Sequence, residues 1–189
     1  MNRLSVVASV ILTAAAIGLN TLVMGPAVIL LNIGLMASLL AWLTTGARRP
    51  FPHRLVGPLY LASIAIQTFH FLEEHAGRLY ELVPPMFNLS PLTAQKFVVF
   101  NLIWIGIFLV SAVGVFRCVR MALVPVWFMA LIGGIGNSIF HSWLAFQGGG
   151  YAPGLATALV NLPLGIALVY LLVKTKAADL TTTSRRPTH

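Results

Sequence analysis

Residues 4–46 form one run of 43 positions without a charged side chain, about twice the roughly 20 apolar residues that a membrane-crossing helix needs. Gly25-Pro26 divides it, because proline starts a helix well and continues one badly. The pattern therefore predicts helices over about 4–23 and 26–45. A basic loop with two prolines, Gly46 to Arg54, follows. Further apolar runs predict helices over about 58–80, 96–117, 122–146 and 155–173, with a loop from Val83 to Pro91. The expected fold is all-α: a polytopic membrane bundle of six helices in a single domain, 1–173, with a polar tail over 174–189. Arg3, the apolar stretch after it and Ala14-Ala15-Ala16 imitate a cleaved signal peptide. The apolar run continues far past that point, and the reading here is a retained first helix.

Composition sharpens this picture. Of 189 residues, 58% are hydrophobic and 8% charged, against about 25% charged in an average soluble protein, which excludes a soluble enzyme and a disordered chain. The formal net charge of +8 raises nucleic-acid binding as a possibility. Position argues otherwise, since the basic residues sit near predicted helix ends. On a six-helix path, Arg3, Arg48, Arg49, Arg54, Arg117, Arg120, Lys174, Lys176, Arg185 and Arg186 fall on one side, and only Arg78 and Lys96 on the other. Positive charge collects on the cytoplasmic side, so both termini are expected there. The expected home is a bacterial cytoplasmic membrane. The expected partners are the bilayer and a lipophilic small molecule, with no nucleic acid and a homo-oligomer left open. The single cysteine, Cys118, excludes a disulfide framework.

Polar residues inside the predicted spans carry the functional information. Helix 58–80 runs outward, so at about 1.5 Å per residue His70 lies about 18 Å along it. Asn101, Asn137, His141 and Asn161 likewise fall in the outer halves of their helices, as do Asn20 and Asn32. On a helical wheel Glu74 stands about 40° to one side of His70 and Glu73 about 60° to the other, with Gln67 one turn earlier on the same face. His75 points elsewhere. Asn137 and His141 form a second pair four residues apart, preceded by glycines at 133, 134 and 136 and followed by the irregular loop Gln147–Gly154.

The string His70-Phe-Leu-Glu73-Glu74 resembles the signature of the HXXEE-domain family of small integral membrane proteins. Asn137…His141 and Tyr151-Ala-Pro-Gly-Leu-Ala-Thr-Ala158 resemble that family's later blocks, over about residues 57–170. The family's name describes a motif and implies a site without implying a reaction. A weaker similarity, at His70 and Glu74 alone, links the chain to the emopamil-binding, sterol-isomerase-like membrane proteins.

Two chemistries suit these residues. In the first, Glu73 and Glu74 share one proton, so that one is an acid and its neighbour a base, while His70, His141 and Asn137 assist. Isomerisation or cyclisation of an isoprenoid-, sterol- or lipid-like substrate would fit a water-poor pocket. In the second, His70, Glu74 and His141 hold one divalent metal ion, Zn or Fe, as a two-histidine, one-carboxylate set. Gln67, Asn101, Trp104, Tyr151 and Asn161 are the expected substrate-binding or supporting residues. A cation or proton transporter, or a ligand-binding membrane protein, is the alternative outside enzymology.

Overall fold

The computed structural model describes residues 3–46 and 51–174, all of whose regular elements are helical. The tail beyond Lys174 lies outside the described residues, as do Arg48, Arg49, Lys176, Arg185 and Arg186 of the charge count. The eight α-helices are α1 (Arg3–Met24), α2 (Ile29–Ala41), α3 (His53–Ala76), α4 (Leu79–Met86), α5 (Ala94–Phe116), α6 (Leu123–Phe128), α7 (Asn137–Gly148) and α8 (Leu155–Lys174). A 3₁₀ turn, Gly25–Val28, joins α1 to α2, and a π-helical segment, Met129–Gly136, joins α6 to α7. Five segments are long and apolar enough to cross a membrane: Arg3–Thr45, His53–Ala76, Ala94–Phe116, Arg120–Gly148 and Leu155–Lys174. They mark a membrane protein.

The first of the five is bent back on itself. Asn20 donates to Asn32 Oδ1 at 2.9 Å and Asn32 donates to Thr21 at 3.1 Å. Twelve residues of continuous helix would hold Asn20 and Asn32 about 18 Å apart, so the chain reverses between them. Gly25 makes the reversal with φ +64°, a conformation that costs a residue with a Cβ more than it costs glycine, and Pro26 begins the next turn.

The remaining helices depart from the sequence pattern in one place that matters. The helix expected over 58–80 begins at His53, carries Pro58 inside it and stops at Ala76. Arg78 adopts the left-handed conformation (φ 54°), which breaks the helix, and α4 then runs on through Pro84 and Pro85 where the pattern predicts a loop. Within a bilayer a proline in a helix is tolerated because neighbouring groups satisfy the carbonyl it frees. The Arg78–Glu81 ion pair at 2.7 Å is exposed and lies on the short helix outside the core.

The aromatic centre is built by α3, α5 and α6: Trp104 stacks on Phe128 at 4.6 Å between centroids, and Phe108 packs against Trp104 at 5.3 Å. The π-helical segment packs closely against α8. A Cβ added at Gly134 would stand 2.7 Å from Gly165 Cα, so the two backbones touch, as small residues permit in membrane helix pairs. This contact brings α7 and the start of α8 beside α3. On α3 the alternation is clear: Phe69 and Leu72 are each 60% exposed, whereas His70 between them is 1% exposed.

Candidate functional site

His70, on α3, and His141, on α7, meet edge to face with ring centroids 4.7 Å apart. Glu74, one turn beyond His70, places Oε1 3.2 Å from His70 Nε2 and 3.2 Å from His141 Nε2. Asn137 approaches His70 Nε2 at 3.1 Å through its side-chain amide. Both imidazoles are 1% exposed. His141 Nδ1 is buried and has no hydrogen-bond partner. The structure thus brings together four of the five residues singled out as catalytic, with both imidazoles on one Glu74 oxygen and Asn137 on His70.

Glu73 is turned to a different task. One carboxylate oxygen accepts from Ala156 N at 3.2 Å and from the Tyr151 hydroxyl; the other accepts from Thr157 N at 3.0 Å and from the Thr157 hydroxyl. Ala156 and Thr157 are in the first turn of α8, whose free N–H groups and dipole favour an anion. The other two N–H groups of that turn are satisfied by backbone: Leu155 N donates to Ala152 O and Ala158 N to Gly154 O, each at 3.0 Å. Glu73 therefore completes the cap of a helix 83 residues further along the chain.

Thr157 links the two halves of the cluster. Its hydroxyl donates to Glu73, and His70 Nδ1 lies 3.0 Å from the same oxygen. The sequence assigns Thr157 no role of its own within the block Tyr151–Ala158, since nothing in the local pattern points a hydroxyl in α8 at a histidine in α3. Gly154 is equally silent in sequence. It adopts φ +91°, and a Cβ there would come within 2.8 Å of His141 Nδ1 and 2.9 Å of His70 Cε1, so its backbone roofs the two rings.

Asn161 and Gln67 lie deeper. Asn161 accepts from Ser63 at 2.7 Å and donates to Gln67 Oε1 at 3.2 Å and to Gly133 O at 3.1 Å. Fully buried and fully bonded, it ties α3, α8 and the π-helical segment together. Trp104 donates to Asn20 Oδ1 at 3.1 Å. Asn101 is buried, and its Nδ2 has no partner. Asn101, Trp104, Gln67, Asn137 and Glu74 all border one partly open cavity of about 170 Å³, otherwise walled by apolar and aromatic side chains including Phe97, Phe100, Phe108 and Phe128. His75, expected to point away, packs against Tyr80 and Phe97 instead of the cluster.

The sequence over residues 61–168, more than half of the chain, matches the model of a family described as "Protein of unknown function with HXXEE motif". The chain belongs to this family. The motif of this HXXEE protein now has a geometry: His70 and Glu74 face the buried cluster, and Glu73 faces α8. The similarity to sterol-isomerase-like proteins gains no support. No curated protein and no solved structure matches the chain.

Tyr151, in the loop before α8, offers a readout of the Glu73 contact. The hydrogen bond to Glu73 raises its pKa from 10.0 to about 12, with a smaller contribution from burial and from the carboxylate's charge. The pKa is raised, so the phenol's contribution to loop closure is complete below about pH 10 and is lost as pH climbs through about 12. The ultraviolet titration difference between the wild type and Tyr151→Phe is expected to have its midpoint near 12. A midpoint in the ordinary tyrosine range near 10 would mean that the contact is not held in solution.

Proposed function

We propose that this protein is a membrane-embedded enzyme that transfers a proton to or from the polar end of a lipophilic substrate at the Glu74–His70–His141 cluster. In this reading the chain crosses the bilayer six times, α1 and α2 forming the two arms of a hairpin, with both termini cytoplasmic and the site in the outer half. The observation that carries it is the cavity: Glu74 and Asn137 stand at the edge of a chamber lined mainly by aromatic and aliphatic side chains. Ligand sites commonly pair an apolar wall with a few convergent polar groups. Asn101, buried with its Nδ2 unpartnered, also borders this chamber.

The chemistry differs in one respect from a proton shared by adjacent carboxylates. Glu73 is committed to α8 and Tyr151, so Glu74 shares its proton with two imidazoles. An allylic or cyclising rearrangement of an isoprenoid, sterol or other lipid needs proton addition and removal on a carbon skeleton in a place poor in water. An apolar chamber beside a carboxylate supplies both conditions.

Solvent isotope incorporation tests the reading whatever the structure of the substrate. Membranes containing the wild type or Glu74→Gln are incubated in deuterated water with total lipid extract, and the lipids are analysed by mass spectrometry. At least one lipid species is expected to gain carbon-bound deuterium with the wild type and at least about tenfold less with Glu74→Gln, in keeping with the usual contribution of a general acid or base. Identical lipid profiles would remove the enzyme reading.

A further inference from the structure

The hydrogen bonds around Thr157 fix the direction in which His70 presents its nitrogens. The Thr157 hydroxyl carries one hydrogen, and its acceptors are the Glu73 carboxylate and, at 3.3 Å, the Gly154 carbonyl. Thr157 Oγ1 therefore accepts from His70 Nδ1, 3.0 Å away. A neutral imidazole that donates through Nδ1 keeps its lone pair at Nε2, which the Asn137 amide nitrogen also approaches at 3.1 Å. That lone pair faces Glu74 Oε1 at 3.2 Å. Two acceptors so close in a buried place need a proton or a cation between them.

We propose that it is a cation, a divalent transition-metal ion, zinc or ferrous iron, held by His70 Nε2, Glu74 Oε1 and His141 Nε2. This inference rests on the donor atoms alone, and the ion would take the place of the proton that the lipid-enzyme reading puts between the same three groups. All three atoms lie within 4.8 Å of one another, and Glu74 Oε1 is 3.2 Å from each nitrogen. A tetrahedral ion about 2.0–2.2 Å from nitrogen and oxygen ligands sets those ligands about 3.3–3.6 Å apart, close to the 3.2 Å between Glu74 Oε1 and each nitrogen. Two imidazoles and one carboxylate suit these metals and leave a position open. Asn137, 3.1 Å from His70 Nε2, borders the cavity with Glu74 and could offer its amide oxygen as a further ligand. Thr157 and Glu73 supply what a metal-bound histidine ordinarily has behind it, an acceptor for its second N–H that fixes the ring.

The test uses the full chain in detergent or nanodiscs, stripped with a chelator and titrated separately with Zn²⁺ and with Co²⁺, whose visible d–d spectrum reports the donor set. One equivalent of each is expected to bind, with Co²⁺ giving a four- or five-coordinate nitrogen–oxygen spectrum. His70→Ala and His141→Ala should lose that equivalent. Thr157→Val keeps all three ligands and should weaken binding about 10–100-fold, while His53→Ala and His75→Ala should leave it unchanged. Thermal unfolding keeps misfolded variants from being misread: Zn²⁺ should raise the midpoint of the wild type, and a folded His141→Ala protein should show no rise. A wild-type protein that takes up no stoichiometric metal, or metal uptake undiminished in both histidine variants, overturns the site. Glu74-dependent deuterium incorporation in a metal-free protein would reject the metal and keep the enzyme; stoichiometric metal without any such incorporation would do the reverse.

Discussion

Gly154→Ala is expected to be among the most damaging single substitutions in the chain, costing about 2–6 kcal/mol of stability and abolishing the geometry of the site. Two independent costs add. The residue sits at φ +91°, where an L-amino acid with a Cβ is strained by about 1–3 kcal/mol. The new methyl would also stand under 3 Å from both imidazoles, and neither ring can yield easily: His70 is held by Thr157, Asn137 and Glu74, and His141 by Glu74. Overpacking a tight interior costs about 1–3 kcal/mol. Gly150→Ala is the control, since nothing lies within 4 Å of its would-be Cβ and its φ is not in the left-handed region. Thermal unfolding in detergent should separate the two variants by several degrees, with Gly150→Ala close to the wild type. Equal midpoints would mean that the loop carries no strain and that the rings move freely.

What the sequence reveals of this site and what it hides divide along the range of the interactions. His70 with Glu74, and Asn137 with His141, are pairs four residues apart, and such pairs lie on one helix face in any α-helix. Their approach to each other is visible only as a shared polar character, because residues 70 and 137 are joined by packing of α3, α7 and α8. The Gly134–Gly165 contact is the hinge of that packing, and the glycine run at 133–136 hints at it. The π-helical segment Met129–Gly136 is less legible: its i→i+5 turns alter the angular register ahead of Asn137, which a fixed 100° wheel cannot represent. The break at Gly77-Arg78 is hidden for a similar reason. A positive φ at arginine has no local sequence signature, and it ends α3 four residues short of the apolar pattern. The reversal at Gly25-Pro26, by contrast, is written in two adjacent residues with opposite backbone preferences.

Glu73 shows most sharply how a tertiary contact can redirect a residue, and its replacement by alanine is the second large effect expected. On α3 alone it looks like a partner for Glu74, since adjacent carboxylates in a chain with four acids invite a shared proton. Its contacts instead cap α8. Removing the carboxylate leaves Ala156 N and Thr157 N without their acceptor and the Thr157 hydroxyl with only the Gly154 carbonyl at 3.3 Å. An unmet buried donor costs about 1–3 kcal/mol, and less where water can reach it. Glu73 and Tyr151 are partly to largely exposed, so the sum for Glu73→Ala is about 2–4 kcal/mol, at the lower end if water fills the gap. Glu73→Gln keeps one carbonyl oxygen and should lose about half as much, because its amide nitrogen cannot accept from the backbone N–H that faced that carboxylate oxygen. Hydrogen exchange distinguishes a cap from a general loss of packing. Amides of residues 155–158 should exchange about 10–100-fold faster in Glu73→Ala, the factor that a loss of about 1.4–2.7 kcal/mol in local opening produces, while amides in the middle of α5 stay protected. The same variant should also disturb His70, because a Thr157 hydroxyl released from Glu73 is free to turn its hydrogen toward Nδ1 and change which ring nitrogen faces Glu74. Unchanged exchange over 155–158 would return Glu73 to the cluster as a second carboxylate free to act with Glu74.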